Sequence, residues 1–143
     1  MIIVDANILV YAYNADAPQH AAAASWLDDL FGGPEIIGLP WMTLWAFLRI
    51  VTSPRLWPNP KSAQEAFQIV REWLAQPGVF IIHPGQRHVE LLERLVTEHR
   101  AAGPLVSDAA LAALALENGA VLASTDRDFS RFPDLRWGNP LGR

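Results

Sequence analysis

Short apolar runs alternate along the chain with longer segments of helical periodicity. The runs are rich in β-branched and aliphatic side chains and end at acids, prolines or glycines, which is typical of strands buried in a parallel sheet. We predict strands over residues 1–4, 35–38, 79–82, 121–124 and 135–137.

The segments between these runs repeat apolar residues at intervals of three and four, as amphipathic helices do. We predict helices over residues 7–13, 20–31, 40–52, 62–75, 86–99 and 107–118, and a helical turn over 128–132. Strands that alternate with helices predict a three-layer α/β/α sandwich with a mostly parallel sheet. Because no repeat or linker interrupts this pattern, we expect a single domain over residues 1–143.

Aspartates stand where the predicted strands end. Asp5 directly follows the first strand, and Asp126 follows the fourth, with Asp128 close behind it. The carboxyl ends of the strands form the ligand-binding edge of an open α/β sheet, and the first turn of the 107–118 helix should bring Asp108 to the same edge. Clustered carboxylates repel one another unless a cation neutralises them, and Mg²⁺ or Mn²⁺ suits such oxygen ligands.

Each of these polar residues also has an ordinary structural interpretation. Asp108 would cap the start of its helix, and Asp126 and Asp128 would suit a turn. Asn7 is either a helix cap or a donor to a water on the metal. Asp5 is harder to explain in this way, because an acid that directly follows a buried strand needs a partner.

The composition narrows the chemistry further. The 143 residues include 11 basic and 15 acidic side chains, a net charge of −4, so no overall positive field attracts a polyanion. The absence of cysteine excludes disulfides, thiol nucleophiles and cysteine-ligated metals, and the four histidines lack the spacing of zinc ligands. The chain shows neither a signal peptide nor an apolar stretch of membrane-spanning length, so we expect a cytoplasmic protein.

Three features together resemble a known family. The first strand and helix read IIVDANILVYAYN, and the acidic helix, strand and turn near the end read SDAALAALALENGAVLASTDRDFSRF. In this order and spacing, the chain resembles PIN-domain ribonucleases of the VapC toxin type over essentially its whole length. The resemblance implies a PIN-like fold and an endoribonuclease that depends on Mg²⁺ or Mn²⁺ and cuts tRNA, rRNA or mRNA. It also implies a homodimer that a small VapB-like antitoxin inhibits.

The resemblance also assigns roles to individual residues. Asp5, Asp108 and Asp126 match the metal-binding acids of the family, and Asp128 matches its supplementary fourth acid. Small polar residues that support these acids correspond to Asn7 and Ser124. In the family mechanism the metal lowers the pKa of a bound water, which then attacks the scissile phosphate.

The chain departs from the family at one position. Most members carry a glutamate on the helix after the second strand, but no acid occurs between Glu35 and Glu65. The expected position falls near Ala46. The site would then be one carboxylate short, which leaves open whether it holds one metal ion or two.

Arginines and aromatic residues supply candidate RNA contacts. Arg49, near the end of the 40–52 helix, is either a phosphate contact or an ordinary solvated arginine. Aromatic side chains could stack on unpaired bases or belong to the core or to a subunit or antitoxin interface. The candidates are Trp41, Trp45, Phe47, Trp57 and Trp73.

Two other function classes compete with the ribonuclease. A phosphatase of the haloacid-dehalogenase type also has an aspartate after strand one, but it needs a second aspartate two residues later and a lysine further on. Asn7 holds that second place, and the only lysine, Lys61, lies in a proline-rich loop. A catalytically silent PIN-fold module that binds RNA or protein is favoured by the missing glutamate alone.

Overall fold

Five parallel strands form one sheet at the centre of the computed structural model, which describes residues 1–142. The last residue of the predicted domain, Arg143, lies outside the described residues. The strand order is β3-β2-β1-β4-β5. The strands are β1 Ile2–Val4, β2 Ile37–Pro40, β3 Val79–Ile82, β4 Val121–Ala123 and β5 Trp137–Gly138.

Helices connect the strands and cover both faces of this sheet. They are α1 Ala6–Ala12, α2 His20–Gly32, α3 Trp41–Val51, α4 Ala63–Ala75, α5 His88–Glu98 and α6 Pro104–Glu117, and a 3₁₀ turn spans Arg127–Arg131. No helix within residues 1–142 has both the length and the apolarity needed to cross a membrane.

The two faces of the sheet carry separate hydrophobic cores. Val4 packs with Phe47 and Trp73 in the core under α1 to α4. Its neighbour Ile3 packs with Phe129 in the core under α5 and α6. Successive residues of a strand point to opposite faces, so β1 feeds both cores and must be apolar throughout. This arrangement confirms the predicted α/β/α sandwich.

Two strand boundaries differ from the prediction. The second strand covers Ile37–Pro40 instead of 35–38, because Pro40 keeps an extended backbone and lies opposite Ile82 of β3. Pro40 therefore ends the strand and precedes α3, whereas the sequence predicts it inside the first turn of the helix. The last strand is Trp137–Gly138 instead of 135–137, because Leu135 belongs to a turn in which its N–H bonds to the carbonyl of Phe132.

The start of α6 also differs from the prediction, and this changes the role of Asp108. The helix begins at Pro104 instead of residue 107, after Gly103 with a φ of 58°. Proline suits the first helical position, since its missing N–H would have no partner there. Asp108 therefore lies in the second turn and does not cap the helix.

Gly38 allows the central strands to pack closely. A Cβ at this position would lie 2.7 Å from Ile82 Cγ1 and 3.1 Å from Ile3 Cγ1. We expect Gly38→Ala to lower the free energy of unfolding by about 1–3 kcal/mol, the usual cost of overpacking a core. Urea unfolding at equilibrium measures this change.

Gly138 supplies the matched control, because it also lies in a strand but a Cβ there would meet no atom within 4 Å. Gly138→Ala should leave the midpoint nearly unchanged. Equal midpoints for both variants would show that the sheet does not need a glycine at position 38.

Candidate metal centre

The strand order brings Asp5 next to the end of β4. The chain adds β2 and β3 on one side of β1 and then β4 and β5 on the other, so the order reverses between β1 and β4. Val4 lies opposite Ala123, and the N–H of Asp5 donates to the carbonyl of Ala123 at 2.9 Å. Ligands of open α/β sheets bind at such a reversal, which is where the sequence placed the site.

Ser124 links the polar residues at this edge. Its hydroxyl is fully buried and donates to Asp5 Oδ2 at 2.7 Å. The hydroxyl oxygen of Ser124 also accepts hydrogen bonds from the backbone N–H of Asp126 at 3.0 Å and from Asn7 Nδ2 at 3.4 Å. The predicted supporting residues Asn7 and Ser124 therefore contact each other, and Ser124 connects Asp5 to Asp126.

Asp5 is held at both carboxylate oxygens. Oδ1 accepts from the N–H of Ala6 at 2.7 Å, which caps α1, and Oδ2 accepts from Ser124. Burial raises the pKa of Asp5, the two hydrogen bonds oppose that rise, and the charge of Asp126 adds to it. Asp5 thus has the protein partners that a buried acid after a strand requires.

Three other carboxylates converge beside it. Oxygens of Asp108, Asp126 and Asp128 all lie within 4.8 Å of one another. Asp126 also caps the 3₁₀ turn, since its Oδ1 accepts from the N–H of Asp128 at 2.8 Å. The turn that orients Asp126 therefore also presents Asp128, which confirms the turn interpretation and places both carboxylates beside Asp108.

The surroundings of Asp108 raise the pKa of its carboxyl group. Burial raises the pKa of Asp108 to about 6, and the charges of Asp126, Asp5 and Asp128 contribute to that rise. Arg131 opposes them in part. The pKa shift shows that all four aspartates share one electrostatic site.

A cavity of about 350 Å³ opens beside these acids. Asp5 and Asp108 line it together with Thr43, Ala46 and Arg49 of α3. Ala46 thus occupies the wall where the family usually presents a glutamate, so α3 contributes no carboxylate. Arg49 is exposed and lines the same cavity, which places a cation beside the acids.

Thr43 is a site residue that the sequence analysis missed. It is 2% exposed, and its Oγ1 has no hydrogen-bond partner among residues 1–142. Asn7 Oδ1 is likewise buried without a partner in that part of the chain. The signal was present in the sequence, because Thr43 precedes Ala46 by three residues and therefore shares its helix face.

The donor set suits a hard divalent cation. Mg²⁺ and Mn²⁺ prefer oxygen ligands, and the edge offers carboxylates at ligand distances together with polar oxygens that lack partners. The three converging acids are Asp108, Asp126 and Asp128, whereas the resemblance assigned the metal to Asp5, Asp108 and Asp126. Asp5 lines the cavity, and each of its carboxylate oxygens accepts one hydrogen bond from the protein and keeps a second lone pair.

The aromatic candidates divide into two groups. Phe47, Trp57 and Trp73 are buried and belong to the core under α1 to α4. Trp41 and Trp45 are exposed on α3.

Comparison with known proteins identifies the family of this chain. The PIN domain family model matches residues 2–135. Ribonuclease VapC37 of Mycobacterium tuberculosis is 41% identical over 140 residues, which cover 98% of this chain and 97% of the relative. Ribonuclease VapC33 of the same species is 42% identical over 141 residues and 99% of both chains.

Solved structures show the same fold. A chain of VapBC2 from Rickettsia felis, bound to a DNA fragment from its promoter, superposes with a TM-score of 0.71 at 22% identity, covering 97% of this chain and 98% of that one. A chain of VapBC-1 from nontypeable Haemophilus influenzae gives 0.67 at 18% identity, with 98% of each chain covered. The chain therefore belongs to the PIN domain family, in its VapC group.

Proposed function

We propose that this protein is the toxin of a VapBC-type toxin–antitoxin pair, an endoribonuclease that depends on Mg²⁺ or Mn²⁺. The observation that carries the proposal is the convergence of Asp108, Asp126 and Asp128 next to Asp5, at the point where the strand order reverses. Relatives that are 41–42% identical over nearly the full length are named ribonucleases, which supports the same reaction class here.

Asp108, Asp126 and Asp128 supply the converging oxygens of the proposed metal site, and Asp5 completes it from the end of β1. Because α3 offers Ala46 in place of an acid, we propose one firmly held ion. A bound divalent cation supplies Lewis-acid chemistry, since it offsets negative charge on the scissile phosphate and acidifies a water.

The residues of the chain position the reacting groups. Ser124 and the N–H of Ala6 fix the Asp5 carboxylate, so that its direction does not depend on the substrate. Arg49 would hold a phosphate of the RNA strand, because it lines the same cavity as Asp5 and Asp108. The free hydroxyl of Thr43, in the same wall, is available to orient a water.

The proposal includes partners and location. The matching solved structures are described as VapBC or toxin–antitoxin complexes, which supports a VapB-like antitoxin as the partner of this chain. We also propose a homodimer, a single PIN domain over residues 1–143 and a cytoplasmic location, where RNA substrates are available. Local cations such as Arg49 allow RNA binding in spite of the net charge of −4.

One observation favours a second function. Ala46 removes a carboxylate that most family members carry, which is compatible with a PIN-fold module that binds RNA or protein without cutting it. The next experiment separates the two functions.

We expect purified, antitoxin-free protein to cut a mixed pool of tRNA and rRNA at discrete sites when Mg²⁺ or Mn²⁺ is present. Chelator should abolish cleavage, and Asp108→Asn should reduce it by about 100-fold or more, because the charge that holds the ion is lost. Mapping of the cut ends by primer extension identifies the target. Asp134→Asn is the control, since that acid is exposed and its one ion pair among residues 1–142 is a weak surface contact with Arg94. Folded protein that binds metal but cuts no RNA would favour the binding module.

Burial of the Asp108 carboxylate, together with repulsion from the neighbouring acids, should make the metal-free site destabilising. The folded pKa of Asp108, about 6, exceeds its ordinary value of 3.8, so the ionised carboxylate disfavours folding above pH 6. Without metal at pH 7.5, we expect Asp108→Asn to raise the free energy of unfolding by about 1 kcal/mol after allowance for solvent screening.

This gain should shrink as the pH falls from about 6 to about 4, because the folded wild-type protein then takes up the proton before the unfolded chain does. Urea unfolding in chelator at several pH values measures the difference. An equal or lower stability for Asp108→Asn at pH 7.5 would contradict the like-charge cluster.

A carboxylate restored to α3 should tighten metal binding. Ala46 lines the cavity with Asp5 and Asp108, so Ala46→Glu adds a further carboxylate to this cavity. We expect the dissociation constant for Mn²⁺ to fall about tenfold, since affinity rises with ligand charge. Ala46→Gln is the matched control, with the same length and no charge. Calorimetric titration that gives both variants the same affinity would show that position 46 does not reach the ion.

A further inference from the structure

Two tryptophans of α3 are exposed side by side. Trp41 is 39% exposed and Trp45 is 63% exposed, whereas the other large apolar residues of this helix are buried or partly buried. The residues are one helical turn apart, with ring centroids separated by 6.4 Å and ring planes inclined by 27°. Nearly parallel indoles on the surface do not serve the core, so they require another explanation.

The tryptophan pair adjoins the acidic cavity. Trp45 lines that cavity together with Asp5 and Asp108. It also lines an almost wholly apolar pocket of about 340 Å³ on its other side, together with Trp41 and Pro84. Trp45 and Met42 therefore line both the cavity of the candidate metal centre and the adjoining apolar pocket.

The same helix face continues to a cation. Trp41, Trp45 and Arg49 recur at intervals of four residues, which places them along one face of α3. Arg49 lines the acidic cavity on the far side of Trp45 from Trp41. The face thus presents two flat aromatic surfaces and then a positive charge, and its Trp45 and Arg49 line the same cavity as Asp5 and Asp108.

We propose that Trp45, with Trp41 next to it, forms a stacking subsite for unpaired RNA bases that flank the scissile phosphate. The inference rests on the proposed ribonuclease function and adds a subsite to it. Indole faces stack on any base, so this subsite would favour single-stranded over paired RNA with little dependence on sequence. Arg49 would contact a neighbouring phosphate and set the register of the strand.

Charge complementarity favours RNA over an apolar protein segment at this face. A protein segment that covered Trp45 would also cover Arg49 and the rim of the acidic cavity, so it would have to carry charged partners for both, whereas a purely apolar segment would leave them unpaired. A single strand of RNA supplies a phosphate for Arg49 and a base for each indole. A strand cut at the aspartates must also pass Trp45, because this side chain forms a wall of the cavity.

The test measures binding and cleavage with the full-length protein. Binding is followed by fluorescence anisotropy of a labelled single-stranded RNA that contains a mapped cleavage site, in an Asp108→Asn background so that the RNA stays intact. Adding Trp45→Ala should weaken binding about tenfold or more, while Trp45→Phe should retain most of the affinity. In the cleaving protein, Trp45→Ala should raise KM more than it lowers kcat.

Phe67→Ala is the matched control. Phe67 is 52% exposed on α4 and lines neither the acidic cavity nor the apolar pocket. It should bind and cleave as the parent does.

A second measurement separates stacking from a general loss of structure. An abasic nucleotide is placed in turn at each position beside the cleavage site. One such position should weaken binding to the Asp108→Asn protein about tenfold, yet cause no further loss in Asp108→Asn with Trp45→Ala. That non-additivity identifies the base that contacts Trp45.

Three results would separate the possible failures. A wild-type protein that cuts no RNA under any metal condition overturns the proposed function itself. Wild-type cleavage with unchanged affinity and KM in Trp45→Ala overturns the stacking subsite alone. A change in sedimentation velocity mass in Trp45→Ala with unchanged RNA affinity would assign this face to a protein interface and also overturn the subsite.

Discussion

The hydrogen bond from Ser124 to Asp5 is the contact on which the whole site depends. It joins residues 119 positions apart, and it forms only because β1 and β4 are neighbours in the sheet. Through the same hydroxyl oxygen, Ser124 also holds the backbone of Asp126 and the amide of Asn7. One buried side chain therefore fixes the direction of Asp5 and the start of the turn that carries Asp126 and Asp128.

This arrangement places the fold and the site in electrostatic conflict. The acids lie together because the strand ends and α6 converge there, and their mutual repulsion adds to the effect of burial on the pKa of Asp108. The apolar cores on both faces of the sheet supply the stability that offsets this repulsion. A cation would relieve the repulsion, and for this reason an acidic cluster of this kind is well suited to bind one.

Helix α3 gives this site its individual character. It contributes Ala46 where the family usually presents a carboxylate, and it adds Thr43 and Arg49 to the same cavity. Beside them it exposes Trp41 and Trp45. The α3 wall therefore has fewer negative charges and more aromatic and cationic surface. Such a wall is better suited to contact an RNA strand than to bind a metal ion.

The sequence by itself determined the α/β/α architecture, the parallel sheet and the placement of Asp5 and Asp126 at its edge. Apolar periodicity and the position of acids after strands are local properties that survive in a linear pattern. Only the structure showed that α6 begins at Pro104 and that Pro40 is extended. It also showed that Asp128 converges with Asp108 and Asp126, that the Thr43 hydroxyl has no partner among residues 1–142, and that the aromatic residues divide between core and surface. Which acids converge, which polar atoms lack partners and which aromatic residues are buried depend on the distant side chains that meet in the fold, and spacing along a single chain does not contain those distances.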